Sequence, residues 1–251
     1  MGEDRIVYVG HATVLIELDG VRLLTDPVLG GWVGPLRRHG PPPPRDLLEG
    51  VDAVLVSHLH RDHLELRSLR RAAGGVPLIV PAGAGRFFAA KGFGEVVELG
   101  PGESHRVGQA LVTATAAAHE IGRRGVAAEP LGFLVEGTRR LYFAGDTDLF
   151  AGMAELGVDL DLALLPVWGW GPTLGPGHLD PERAARAAAL LSPRIAVPIH
   201  WGTLYPLGLA RPRPRPLSEP AREFAARARV LAPEVEVRVL MPGAALSLPP
   251  A

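Results

Sequence analysis

Residues 55–66 read LVSHLHRDHLEL, placing His58, His60, Asp62 and His63 within six positions directly after an apolar run. A buried imidazole needs partners for its ring nitrogens. Alternate residues of one short segment cannot all meet that need as ordinary core histidines, whereas one bound metal ion satisfies several at once. Such a cluster therefore demands a fold that opens a strand end onto a protected site. Three more polar residues hold equivalent places: His119 ends VTATAAA, Asp146 ends LYFAG and His200 ends IAVPI. A single His or Asp at a strand end is usually a cap or turn residue. Four strand ends marked this way point instead to loops on a rigid scaffold that present ligands to a divalent cation.

The rest of the chain allows such a scaffold. Its 251 residues are 47% hydrophobic and 21% charged, enough for a sizeable core, and no Ser/Gly linker or fixed-period repeat divides them. We expect one domain over 1–251. The formal net charge is −1 and Lys91 is the only lysine. With no basic excess or basic stripe, nucleic acid is not the expected partner. The absence of cysteine excludes disulfides, thiolate metal sites and cysteine nucleophiles, so any metal sits on His, Asp or Glu. The opening MGEDRIVYVG lacks a signal-peptide h-region, and no apolar run approaches the roughly 20 residues that span a bilayer. A cytoplasmic location is expected.

Period-two alternation predicts strands at RIVYVG, TVLIELDG and VRLLTDP, the last two joined by an Asp19-Gly20 turn. VDAVLVSH reads as a strand covered on both faces, followed by helices at 64–72 and 83–91. ALVTATAAAH, LGFLVEG and RRLYFAGD read as strands, the last two linked around Gly137-Thr138. LFAGMAELG reads as helix, LALLPV as strand, DPERAARAAALL as helix capped by Asp180 with Pro181 first, and RIAVPIH as strand. A helix at 218–230 precedes a last strand, EVRVLMPG. Two strand-rich halves, each followed by helices, imply face-to-face sheets with helices outside.

The ordered motifs HLHRDH, AHE, FAGDT and PIHWG resemble those of the metallo-β-lactamase superfamily over roughly residues 6–205. GHATVLIELDGVRLLTDPVL and GPGHLDPERA are similar to the branch containing ascorbate 6-phosphate lactonase and N-acylphosphatidylethanolamine phospholipase D. The resemblance implies an α/β fold, an αββα four-layer sandwich with a dinuclear metal site at the edge of its two sheets. It assigns His58, His60 and His119 to one ion, Asp62, His63 and His200 to the other, and Asp146 to the bridge between them. Nitrogen and oxygen donors suit zinc first, with manganese or iron also compatible.

It further implies a hydrolase in which a metal-bridging hydroxide attacks a phosphodiester, ester or lactone bond of a small anionic or lipid-like substrate. Asp62 and His178 are the catalytic candidates, His178 serving the leaving group. Asp26 corresponds to a structural motif and is expected to anchor the histidine loop from behind, with capping before Pro27 as the alternative. His11, in GHAT, is expected to be a structural histidine beside the ligands. His39 and His105 match no motif and are expected at the surface. Trp168 and Trp170 would line a pocket, although core burial explains a tryptophan equally. Arg211, Arg213 and Arg215, spaced by prolines, would bring guanidinium groups to a substrate anion. A nuclease of the same fold would want a basic arm, a di-iron oxygen- or nitric-oxide-reducing protein a carboxylate where His60 stands, and an exported β-lactamase a signal peptide. A metal-binding or regulatory protein without turnover would keep the same ligands.

Overall fold

The computed structural model describes residues 3–120, 125–169, 175–208 and 217–248. Trp170, Arg211, Arg213 and Arg215 lie outside them. The alternating N-terminal segments form β1 (Arg5–Gly10), β2 (Thr13–Leu18) and β3 (Val21–Thr25), an antiparallel meander. Asp19 and Gly20 join β2 to β3 with φ of 53° and 78°, the paired left-handed conformation that matches strand twist in a two-residue hairpin. β6 (Ala53–Leu55), β7 (Leu78–Pro81) and β8 (Val96–Leu99) extend this sheet in parallel from β3. Ala53, Val54, Leu55 and Val56 are wholly buried, as their unbroken apolar run requires when both faces are covered. On the other edge β17 (Ala245–Ser247) pairs with β1, giving the order β17-β1-β2-β3-β6-β7-β8.

The second sheet contains β9 (Ser104–Val107), β10 (Ala110–Ala116), β11 (Leu131–Glu136), β12 (Arg140–Phe143), β13 (Leu162–Pro166), β14 (Ile195–Ile199) and β16 (Glu236–Val237). Its order is β16-β14-β13-β12-β11-β10-β9, with β12, β13 and β14 mutually parallel. A three-stranded sheet joins β4 (Trp32–Val33), β5 (Leu36–Arg38) and β15 (Leu204–Pro206).

One hydrophobic cluster unites Ile6, Tyr8, Val14 and Ile16 of the first sheet with Val112, Phe133 and Val135 of the second. It continues into α3 (Pro181–Leu191) and α4 (Glu219–Leu231) through Ala184, Ala188 and Phe224. A second cluster covers the outer face of the first sheet, where Leu15, Leu24 and Val54 meet Leu69 of α1 (Leu66–Ala72) and Phe88 of α2 (Gly85–Ala89). The layers are therefore helix, sheet, sheet, helix, the αββα sandwich expected from the sequence. Asp180 caps α3 by accepting from Arg183 N at 2.8 Å, with Pro181 at the first helical position. No helix among the described residues is long and apolar enough to cross a membrane.

Several local expectations change. LFAGMAELG is not a helix: only a 3₁₀ turn forms, at Met153–Gly157, after Gly152 takes a left-handed φ of 86°. The reason is tertiary, because Asp148 is tied in an isolated β-bridge to Ala118, Asp148 N donating to Ala118 O at 2.9 Å. EVRVLMPG pairs only over Glu236–Val237 before the chain crosses to the first sheet, where Gly243 N donates to Tyr8 O at 2.7 Å. α1 and α2 are shorter than the ranges expected from sequence. β7, β8, β9 and β17 were not anticipated, since each is three or four residues long with no sustained alternation. Phe133 is completely buried between the sheets, so Phe133→Ala is expected to lower the unfolding free energy by about 3–5 kcal/mol. Denaturant titration checks this, and a loss under about 1 kcal/mol would mean that the site collapses around the deletion.

Candidate metal centre

The expected ligands, and the expected anchor Asp26, lie beyond the C-terminal ends of their strands. β3 leads to Asp26, β6 to His58, β10 to His119, β12 to Asp146 and β14 to His200. Strands that run parallel deliver their following loops to one sheet edge, the usual place for a site in such architectures. Gly145 makes the approach of Asp146 feasible: its φ is +61°, and a Cβ there would stand 2.7 Å from Leu131 O and 2.8 Å from Ser57 Cβ. Thr147 ties two of these loops together, its Oγ1 accepting from Ala118 N at 2.9 Å and donating to Asp148 O at 2.8 Å.

Outward hydrogen bonds decide which way the imidazoles present their lone pairs. His119 Nδ1–H donates to Gly177 O at 2.7 Å, and His200 Nδ1–H donates to Trp168 O. His63 Nδ1–H donates to Asp26 Oδ2 at 2.7 Å. Ser57 Oγ–H also donates to Asp26 Oδ2, at 2.6 Å, which leaves its oxygen to accept from His58 Nδ1–H at 3.0 Å. His178 Nδ1–H is shared between the carbonyls of Gly175 and Pro176, each at 3.2 Å. Five rings thus turn Nε2 inward, each in a tautomer fixed by a partner behind it, the arrangement that orients and strengthens imidazole ligands.

The possible ligand atoms fall into four overlapping groups among the described residues: His58, His60 and His119; His11, Asp62, His63 and His200; Asp26, His58 and His63; and His119, Asp146 and His178. His60 Nδ1 is 2.9 Å from both His58 Nε2 and His119 Nε2, and His63 Nε2 is 2.9 Å from His200 Nε2. Only a proton or a cation can occupy gaps between facing nitrogens. Two nitrogens each about 2.0–2.1 Å from one zinc stand roughly 3 Å apart, so the spacing fits a shared ion. Asp146 lies between the first two groups, its Oδ2 3.2 Å from His63 Nε2, 3.9 Å from His58 Nε2 and 4.0 Å from His119 Nε2. Its Oδ1, 3.2 Å from His200 Nε2, is buried without a hydrogen-bond partner. An unsatisfied carboxylate oxygen among inward imidazoles is the donor set a divalent cation requires.

Burial and mutual proximity shape the protonation of these groups. Burial chiefly pushes His58 well below the ordinary imidazole value, lowers His60, and takes His119 down to about 4 and His11 to about 3. For His63 the same desolvation is outweighed by Asp146 and Asp26, which raise it well above the ordinary value. Burial would raise the carboxyls of Asp62 and Asp146, yet the imidazoles around them hold both well below the usual carboxylate range. His58, His60 and His119 are thereby held neutral and Asp62 and Asp146 ionised, the forms in which such residues bind metal, whereas His63 keeps a proton that an incoming ion would displace.

Asp26 is completely buried and its carboxylate accepts three hydrogen bonds, the third from Ser57 N at 2.7 Å. It lies behind His58 and His63, holding the first through Ser57 and the second directly. His11 reaches Asp62 Oδ2 with Nε2 at 3.0 Å. His178 is half-buried with Nε2 3.6 Å from Asp146 Oδ2. Trp168 is buried and stacks on Tyr205 with centroids 6.3 Å apart, so its described contacts are those of core packing. His39 is half-buried with a buried Nε2 that has no partner, not a freely exposed surface residue. His105 is also half-buried, on β9. Sequence reasoning missed Ser57 and the carbonyls of Trp168 and Gly177. Ser57 adjoins the histidine motif, but its role depends on Asp26, 31 positions earlier. Backbone carbonyls carry no sequence signal.

Asp26→Asn keeps the shape of the side chain while removing the charge that accepts three donors. It is expected to weaken zinc affinity by roughly 10–100-fold, as losses behind a ligating histidine typically do. Competition with a chromophoric chelator measures this, and unchanged affinity would remove Asp26 from the support of the site.

Residues 21–201 match the family model of the beta-lactamase superfamily domain. The chain is 33% identical over 256 residues to a UPF0173 metal-dependent hydrolase of Rubrobacter xylanophilus, covering 97% of this chain and 96% of that protein. It is also 33% identical over 229 residues to N-acyl-phosphatidylethanolamine-hydrolyzing phospholipase D 1 of Caenorhabditis elegans, covering 80% of this chain and 64% of the nematode protein. Among solved structures, Igni18, a metallo hydrolase from the archaeon Ignicoccus hospitalis, matches with a TM-score of 0.74 at 25% identity over 100% of both chains. The chain belongs to the beta-lactamase superfamily and, within it, to the metal-dependent hydrolases built on the metallo-β-lactamase fold.

Proposed function

We propose that the chain hydrolyses a phosphodiester, ester or lactone bond in a small anionic or lipid-like molecule, with residues 1–251 acting as one hydrolase domain. In this reading His58, His60 and His119 hold one divalent ion, Asp62, His63 and His200 hold a second, and Asp146 lies between them. The convergence of Nε2 atoms of His58, His63, His119 and His200 on the carboxylate of Asp146, whose Oδ1 has no hydrogen-bond partner, carries the proposal. Nitrogen and oxygen donors without thiolate favour zinc, with manganese or iron as the other candidates. When bound, two such ions supply a water of lowered pKa and stabilise negative charge that develops on the substrate.

The chain's own groups supply the rest. Asp146 places negative charge where two cations would otherwise repel. Asp62 adds a second carboxylate, oriented by His11. His178 has its Nδ1–H engaged by the Gly175 and Pro176 carbonyls, which leaves Nε2 to carry a proton towards the leaving group. Burial of most of these side chains limits water around them and strengthens each charge interaction. The nematode relative, named for cleaving N-acyl-phosphatidylethanolamine, supports a phosphodiester within a lipid-like molecule as the first substrate to try.

Elemental analysis of zinc-reconstituted protein is expected to find two ions per chain, and chelation to abolish turnover of phosphodiester, phospholipid and lactone substrates that recovers on adding zinc. One ion or none, or activity indifferent to chelation, would refute this reading. His178→Ala is expected to keep both ions and lower the maximal rate on an alkoxide-releasing substrate by about 10²–10⁴-fold. A p-nitrophenyl ester, whose leaving group needs little protonation, should suffer much less. Equal losses on both substrates would assign His178 to positioning instead.

A further inference from the structure

We infer that His11 is a positioning residue that donates from Nε2–H to Asp62, and that it governs metal affinity at the Asp62, His63 and His200 group alone. This rests on the two-ion reading above. His11 lies where the chain makes a close passage: Gly10 has φ +129° and a Cβ there would collide with Thr203 Oγ1. His11 itself takes a left-handed φ of 58°, uncommon outside glycine. Its N donates to Thr203 Oγ1 at 3.0 Å and its carbonyl accepts from His200 N at 2.7 Å. Its fully buried ring lies 3.8 Å from the His200 ring and 5.5 Å from that of His63. A single residue thus touches two members of the group through its ring, one of them through its backbone as well, and Asp62 through Nε2.

Position alone would allow His11 to be a fourth ligand, since its Nε2 falls among the ligand atoms of Asp62, His63 and His200. The proton on the ring decides otherwise. Each ring that turns Nε2 inward as a lone pair has an acceptor for Nδ1–H: Ser57 Oγ for His58, Asp26 for His63, Gly177 O for His119 and Trp168 O for His200. His11 Nδ1 is buried and has no hydrogen-bond partner. An orphaned buried N–H is rarer than an orphaned acceptor. The proton therefore belongs on Nε2, where Asp62 Oδ2 accepts it at 3.0 Å. An Nε2 that carries a proton has no lone pair for a metal, so His11 acts through Asp62. Holding one carboxylate oxygen restricts the rotation of the group, and the neighbouring backbone bond to His200 N ties the second ligand to the same residue.

The experiment uses the whole chain with zinc alone. Zinc affinities at both sites are measured by chelator competition for the wild type, H11A and H11Q, and the His11 tautomer is read from long-range ¹H–¹⁵N correlations in metal-free protein. H11A is expected to keep one ion at wild-type affinity and to bind the other roughly 10–100-fold more weakly. H11Q restores a side-chain N–H donor at similar reach and is expected to recover most of that loss. H11N, which accepts the left-handed backbone but is too short to reach Asp62, stands in where H11A does not fold and should behave as H11A. Unchanged affinities in H11A, equal weakening at both sites, or failure of H11Q to recover would overturn the inference. So would a proton found on Nδ1. A wild type that binds fewer than two ions would sink the two-ion reading and with it the claim of site selectivity, whereas the tautomer, read without metal, tests the donor role by itself.

Discussion

The carboxylate of Asp26 is the interaction on which the site depends. It is fully buried, one residue after β3, and it accepts from Ser57 N, Ser57 Oγ and His63 Nδ1. A buried carboxylate is costly unless its oxygens are satisfied by hydrogen bonds or charge. Here that requirement locks the loop after β6 in one conformation, because both donors of Ser57 and the ring of His63 must face the same point. The Ser57 hydroxyl then accepts from His58, so two rings of the motif take their tautomers from one side chain.

The same logic extends around the centre through other carriers. Gly177 O and Trp168 O fix His119 and His200, while Thr147 ties the loop of His119 to that of Asp146. Asp26 follows β3, Thr147 follows β12, Trp168 follows β13 and Gly177 precedes α3, and the core between the sheets keeps these segments at constant separation. Close packing makes such a scaffold stiff. Stiffness is what allows inward nitrogens to be held 2.9 Å apart. Left unsupported, similar lone pairs at that distance would separate.

Much of this is legible in the sequence. The spacing of His58, His60, Asp62 and His63 after an apolar run, and the recurrence of His or Asp at three later strand ends, pointed to cation ligands on strand-end loops, and the family resemblance implied their place at one edge of a layered α/β fold. The Asp19-Gly20 turn and the Asp180 cap were legible too, because each is a local contest between few backbone conformations. Local pattern failed at 149–157, where a β-bridge from Asp148 to Ala118 overrode a helical periodicity. It failed at β7, β8, β9 and β17, whose few residues depend on neighbouring strands for every ladder bond. The partner of His11 could not be read either, because Asp62 is 51 positions away.

By itself, then, the sequence determined the residue types, their spacing and the places where strands must end, since these follow from side-chain chemistry and from backbone preferences that act over a few residues. Tertiary structure alone decided which nitrogen of each histidine faces inward. That choice turns on acceptors such as Asp26, Gly177 O and Trp168 O, which lie 37, 58 and 32 positions from the rings they serve. A hydrogen bond discriminates over tenths of an ångström, and only the folded sheets bring such distant groups within that range.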